Sequence, residues 1–272
     1  MITGKKTLFL LTLVSSAVLA SAAVQTPEVN VGVNESQVTY KGQTGEFAKH
    51  QGYLHGFTVQ MRYPPTQQLP VQFAVDFTFA QGRVDYQTHA ATYAADSKDR
   101  LYNIVGTVAR TVPFEGKQII SYTGFGFRNY RDNAEAVTSS TGNQGYDSRF
   151  STLYTPIGVR SAVGQFGGWH VTANAEYQYF WTDTQKTYVS TTPYTEENNK
   201  GYGARFGFDM QQRTAYGDVT VNPYYQYWNH KHANQGSVSA QVAPGTGQVT
   251  AFNFPQVGRS TEAGIAFSIR VA

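Results

Sequence analysis

An up-and-down antiparallel transmembrane β-barrel is the fold class this sequence predicts, with about ten strands, five long external loops and four short periplasmic turns. Three observations predict it. Residues Trp169 to Trp181, WHVTANAEYQYFW, alternate with a period of two for far longer than a soluble strand usually does. The connections between such segments are short and long by turns. An export leader precedes a chain in which no other stretch is long and apolar enough for a spanning helix.

In the opening segment Trp169, Val171, Ala173, Ala175, Tyr177, Tyr179 and Trp181 share one face. His170, Thr172, Asn174, Glu176, Gln178 and Thr182 take the other. Aromatics at both ends of an uncharged face suit a strand whose outer side meets lipid between two headgroup layers. The competing reading is a soluble sandwich, in which the same apolar face would meet a second sheet.

The leader places Lys5 and Lys6 before an apolar run from Leu8 to Leu19, and Ala20-Ser21-Ala22 supplies the small residues of a cleavage site. Residues 1–22 are therefore expected to be a signal peptide and 23–272 the barrel. The mean hydropathy of −0.39 does not oppose a barrel, because half of each spanning strand faces a polar lumen. The chain has 19 Tyr, 17 Phe and 26 Gly but only 14% charged residues, a balance suited to aromatic strands and tight turns. With no cysteine, a disulfide scaffold, a thiolate-ligated metal and a thiol nucleophile are all excluded. The formal charge of +3 falls to +1 without Lys5 and Lys6, and there is no basic patch, so nucleic acid is not an expected partner.

Ten segments follow in order. Glu28–Tyr40 puts Val29, Val31 and Val33 on one face. Tyr53–Tyr63 turns Phe57, Val59 and Met61 outward. Val71–Tyr86 turns Val71, Phe73, Val75, Phe77 and Phe79 outward, and Gly82 is read as a bulge or the exit from the membrane. Leu101–Val112 is ambiguous, with apolar residues on both faces. Lys117–Arg131 presents Thr123, Phe125 and Phe127. Ser148–Val163 presents Leu153, Ile157 and Val159, with an irregularity expected at Pro156, which cannot donate to a ladder. After the segment from Trp169 to Val189 come Gly201–Gln212, Asp218–His230 and Thr261–Val271, all cleanly alternating.

The connections Pro64–Pro70, Glu115-Gly116, Gly164–Gly168 and Thr214–Gly217 are short. Lys41–Gly52, Thr88–Asp99, Asp132–Asp147, Ser190–Lys200 and Lys231–Gly258 are longer and polar. Strict alternation of this kind gives periplasmic turns, external loops and an even strand count. In the last loop, Ser237–Val242 and Gln248–Phe254 flank Pro244-Gly245-Thr246-Gly247 as a candidate hairpin.

The motifs YTGFGFRN (122–129), SRFSTLYTPIGV (148–159), NAEYQY (174–179), GYGARFGF (201–208), PYYQYWN (223–229) and TEAGIAF (261–267) resemble a family of small single-domain Gram-negative outer-membrane β-barrels. The resemblance implies a barrel of about ten strands in the bacterial outer membrane and implies no reaction. It also implies contact with membrane lipid and lipopolysaccharide, and insertion by the barrel-assembly machinery. The chain departs from the pattern at its end, finishing Arg270-Val271-Ala272 rather than on an aromatic residue, with Phe267 available in the same strand.

The lumen-facing charges are expected to be Arg62, Asp76, Arg128, Glu176, Arg205, Asp209, Glu262 and Arg270, joined inside by Tyr122, Tyr224 and Trp228. These either pair across the lumen as a plug or line a narrow aqueous path. His50, His55, His89, His230 and His232 are placed at the external rim, as solvated loop histidines or as a rim cluster for a divalent metal; no carboxylate is spaced to complete a shell. A ten-stranded barrel is similar in strand number to the omptin proteases, but their paired aspartates are not found, nor is a His with an Asp two residues before it. Ser148, His89 and Asp85 are available for hydrolysis, yet no spacing brings them together. The expectation is a non-enzymatic barrel without catalytic residues, metal or cofactor. Its loops would contact the envelope, other cells or an extracellular ligand, and its lumen would be mostly plugged. A narrow porin-like channel and a rim hydrolase are the alternatives.

Overall fold

The computed structural model describes residues 26–42, 49–67, 69–87, 92–93, 97–115, 117–133, 147–189, 192–198, 200–215, 217–231, 238–241, 249–252 and 257–271. Ten long strands carry the architecture: β1 Glu28–Gly42, β2 Lys49–Tyr63, β3 Gln72–Gln87, β4 Lys98–Phe114, β5 Lys117–Asn133, β6 Asp147–Phe166, β7 Trp169–Val189, β8 Lys200–Thr214, β9 Gly217–Lys231 and β10 Val257–Arg270. Each pairs antiparallel with its sequence neighbours, and β10 pairs with β1 from Asn30↔Arg270 to Gly42↔Val257. The sheet is therefore closed, and no barrel strand leaves an unpaired edge in hydrocarbon.

Register turns the alternating pattern into a continuous apolar ring. Phe267 lies opposite Val33, Val33 opposite Phe57, Phe57 opposite Phe79 and Phe79 opposite Tyr102. The ring continues through Ile104↔Phe127, Phe127↔Leu153 and Ile157↔Tyr177, then Tyr177↔Ala204, Phe206↔Tyr225 and Val221↔Phe267. Most of the larger of these side chains are exposed, among them Val33, Phe57, Ile157 and Phe206, and so are the neighbouring outward residues Phe125 and Phe208. So much apolar surface on a closed ladder is stable only where hydrocarbon, not water, covers it. Outward residues turn polar toward the external end: Gln81 and Arg83 on β3, Lys98 and Arg100 on β4, Arg131 on β5 and Arg259 on β10. The strands thus continue above the apolar belt, which shortens the first loop relative to the expected Lys41–Gly52.

Four sequence expectations change. Gly82 is no bulge, because the β2–β3 register runs through it unbroken; it does mark the exit from the belt, between outward Phe79 and outward Arg83. In β6 the register shifts at Leu153/Tyr154 and Ala162/Gly164, while Pro156 pairs regularly with Gln178 and is fully buried in the lumen. The shift opposite Leu153 and Tyr154 inserts Trp181 as an extra residue in β7. Inward parity therefore moves from Phe180 to Asp183, and Thr182 is exposed rather than on the lumen face. Phe180, an apolar residue on the polar face, is fully buried. The ambiguous β4 resolves with Tyr102 and Ile104 outward and Leu101 inward, where it packs in a lumen cluster.

The Gly167-Gly168 turn between β6 and β7 has φ of 55° and 85°, the left-handed pair that two-residue hairpins favour. Thr92–Tyr93 extends the β3 edge, Thr192–Asn198 pairs with β7, and Val238–Gln241 pairs with Val249–Phe252 as the hairpin expected in the last loop. Residues 1–22, where a signal peptide is expected, lie outside the described residues. No described helix is long and apolar enough to cross a membrane.

Candidate functional site: the lumen and its external mouth

β5 and β10 stand five strands apart on a ring of ten, so they face each other across the lumen. Arg128 on β5 nevertheless donates from Nη2 to Glu262 Oε2 on β10 at 2.8 Å, both side chains being buried. Tyr224 donates to the other carboxylate oxygen at 2.7 Å, and the guanidinium lies 4.8 Å over the Trp228 ring. With every oxygen of Glu262 engaged, the buried charge is compensated.

Two aromatic clusters add to this crossing. Tyr40 on β1 stacks on Tyr130 of β5 at 4.4 Å, with Phe150 against both. Tyr154, Phe180 and Trp228 form the other, from β6, β7 and β9. The large rings fit because glycines face them: a Cβ at Gly126 would meet the Tyr154 ring, and one at Gly158 the Tyr122 ring.

Toward the periplasm the lumen is polar. A cavity of about 100 Å³ is lined by Arg62, Asp76, Asn34, Arg160, Glu176 and Asp209 among others. Glu176 accepts from Tyr122 at 3.0 Å and from Gln178 at 2.6 Å; Arg160 covers the Tyr122 ring and Arg205 the Tyr224 ring. Asp209 accepts from Asn222 at 2.6 Å. Arg270 lies at the mouth, half-exposed, bridging Glu28 at 3.2 Å and Asp218 at 3.1 Å across the closing seam. Of the charges expected inside, seven therefore line this cavity and Arg270 fastens its rim.

Among the described residues the rim histidines form no metal cluster. His55 faces outward and lies 3.9 Å from Glu35, whereas His50 and His230 face into the lumen; His89 and His232 lie outside the described residues. Strand parity is the reason: on β2 even residues point inward and odd ones outward. His50 and His230 are thus not solvated rim residues, and each meets a carboxylate. No group of three His, Cys, Asp or Glu that could hold a metal occurs among the described residues. Of the trio Ser148, His89 and Asp85, Ser148 is buried against Thr187 and Asp85 faces outward on β3, so the two do not converge.

The carboxylates beside the two inward histidines went unread in the sequence, because they lie where strands continue above the belt. On one wall Ser97 Oγ is 2.7 Å from Asp99 Oδ1 and 3.0 Å from Asp132 Oδ1. A hydroxyl carries one proton, so if it donates to Asp99 the other contact needs a proton from the Asp132 carboxyl. Tyr130 donates to Asp99 as well, and His50 Nδ1 is 3.7 Å from Asp132. Burial pushes Asp99 up to about 6; burial and the adjacent Asp99 raise Asp132 well above the ordinary carboxylate range, and burial lowers His50 to about 3.

On the other wall His230 Nδ1 lies 2.6 Å from Asp183 Oδ2 and Nε2 lies 3.4 Å from Ser260 Oγ. Thr152 donates to Asp183 Oδ1 at 2.7 Å. His230 and Asp183 meet although β8 runs between their strands. Inward Gly203 and Gly201 leave the room there, since a Cβ on either would strike Gln178 or Phe180.

No protein-family model matches the chain, and no curated protein does. Among solved structures it is similar to the outer membrane protease OmpT from Escherichia coli (7% identity, TM-score 0.46, covering 90% of this chain and 97% of that one). It is also similar to the translocator domain of the autotransporter NalP from Neisseria meningitidis (12%, 0.44, 94% and 92%) and to Neisserial surface protein A (13%, 0.32, 89% and 96%). The outward apolar belt and the closed ladder are what place this chain: it is an integral β-barrel of the bacterial outer membrane.

Proposed function

We propose that the barrel is a closed scaffold that works through its external face, its loops contacting lipopolysaccharide or an extracellular ligand, and that it does not pass solutes. The ion pair from Arg128 to Glu262 carries this reading, because its 2.8 Å contact bridges opposite walls of the lumen with two buried side chains. The Tyr40/Tyr130 stack supports it. Cleavage of the leader after Ala22 or Ala23 and insertion by the barrel-assembly machinery belong to the same proposal.

Planar-bilayer recording tests it. The refolded barrel is expected to be silent, and the double variant Arg128→Ser, Glu262→Ser to show discrete conductance steps. Reproducible steps from the unaltered barrel would overturn the closed reading in favour of a narrow channel.

A further inference from the structure

We propose that Asp183, His230 and Ser260 form a serine-hydrolase site at the external mouth, acting on small carboxylic esters that arrive from outside the cell. The inference goes beyond the scaffold role. It needs only the mouth, not a conducting lumen.

Three strands supply the parts: Asp183 from β7, His230 from β9 and Ser260 from β10. The 2.6 Å contact fixes the imidazole with its Nδ1 proton on Asp183, which leaves the Nε2 lone pair toward Ser260. A 3.4 Å separation between base and nucleophile is of the kind that tightens when substrate is bound. Asp183 is itself held by Thr152, and the imidazole packs beside Trp228, at 16° and 6.2 Å, and Phe180, at 5.8 Å, which also touch each other at 5.0 Å. Tertiary structure thus fixes the ring in a single orientation.

Two further observations suit chemistry better than simple packing. The Trp228 indole N–H is buried without a hydrogen-bond acceptor among the described residues, and Trp228 lies directly opposite Ser260 in the β9–β10 register. A spare buried donor on the residue paired with a nucleophile is a candidate to receive a developing oxyanion. The site also lies above the apolar belt, where outward neighbours are Thr182, Asn229 and Arg259, so substrate approaches from water. The aromatic walls and the small exposure of Ser260 restrict the acyl group to a short one.

In the first step Ser260 Oγ attacks the ester carbonyl carbon while its proton passes to His230 Nε2. The tetrahedral adduct then expels the alcohol, which takes that proton, leaving acyl-Ser260. Water repeats the sequence: its proton goes to Nε2, its oxygen attacks the acyl carbon, and Ser260 leaves and recovers the proton as the carboxylic acid departs.

The refolded full-length barrel, incubated with a small fluorophosphonate and with p-nitrophenyl acetate, tests the site. Phosphonylation is expected on Ser260, located by peptide mass spectrometry. It should be absent in Ser260→Ala, slowed at least about 100-fold in His230→Gln and retained in Ser148→Ala. In Asp183→Asn the low-field Nδ1 proton resonance should vanish, with acylation slowed, while the barrel keeps its heat-modifiable migration. Because the chain has no cysteine, Ser260→Cys gives a second measure: it should be alkylated faster than Ser148→Cys, since His230 takes the thiol proton. An unlabelled native barrel, label that persists in Ser260→Ala, or equal alkylation of the two thiols would each overturn the proposal. None of these outcomes alters the conductance result that decides the scaffold reading.

Discussion

Arg128 shows how much one buried side chain can hold. It satisfies Glu262, covers Trp228 and spans the lumen, so truncating its partner leaves a cation in a low-dielectric interior. Glu262→Ala is expected to lower stability by about 3–5 kcal/mol, read as the urea midpoint of tryptophan fluorescence. The paired replacement Arg128→Met, Glu262→Leu should recover most of that loss, and a double variant as unstable as the single one would refute the argument. At the other wall the sign of a pH effect follows from Asp99 and Asp132. Their carboxyls protonate more readily folded than unfolded, so they favour the fold at low pH. That contribution fades as pH rises from about 4, the unfolded value, through about 6 for Asp99 and beyond for Asp132. His50, lowered to about 3, acts in the opposite direction by disfavouring the fold as pH drops below its unfolded value near 6.5. In a His50→Gln background, stability should therefore fall as pH rises across this window, and Asp99→Asn, Asp132→Asn should flatten the slope. A slope of the reverse sign would contradict the shared proton.

At the scale of the strand, alternation made the belt legible, since Phe125, Phe206 and Ile157 follow directly from a period of two. What alternation cannot show is where parity slips. The extra residue at Trp181 turns Asp183 inward, and without it the acid of the mouth would face the outside. The inward glycines of β8 were equally silent in the sequence, because their role is to leave space for side chains of β7 and β9. Phe125→Arg, on the lipid face of β5, should destabilise the barrel by about 2–4 kcal/mol if that position is near mid-bilayer, whereas Arg100→Ala, outward but above the belt, should change little. Gly203→Val should displace Gln178 and loosen the Asp183–His230 contact while the ladder persists, seen as loss of the low-field imidazole proton with heat-modifiability kept.

For the molecule as a whole, closure and strand count were readable because connection length and apolar faces both have to agree around a ring. The contents of the lumen were readable by sign, as in Arg128 and Glu262, but not by partner, since register and shear decide which residues meet across it. Everything about the molecule depends on its apolar rows facing hydrocarbon while the polar set is enclosed. Single cysteines at Val33, Phe125, Phe206 and Phe267, introduced into this cysteine-free chain and carried into liposomes, measure that directly through a thiol-attached fluorophore and lipid-borne quenchers. Strong quenching by the lipid-borne agent and no reaction with a water-soluble maleimide are expected at all four positions, with the reverse at Arg100→Cys. Ready maleimide labelling of the four, without quenching from the lipid, would contradict it.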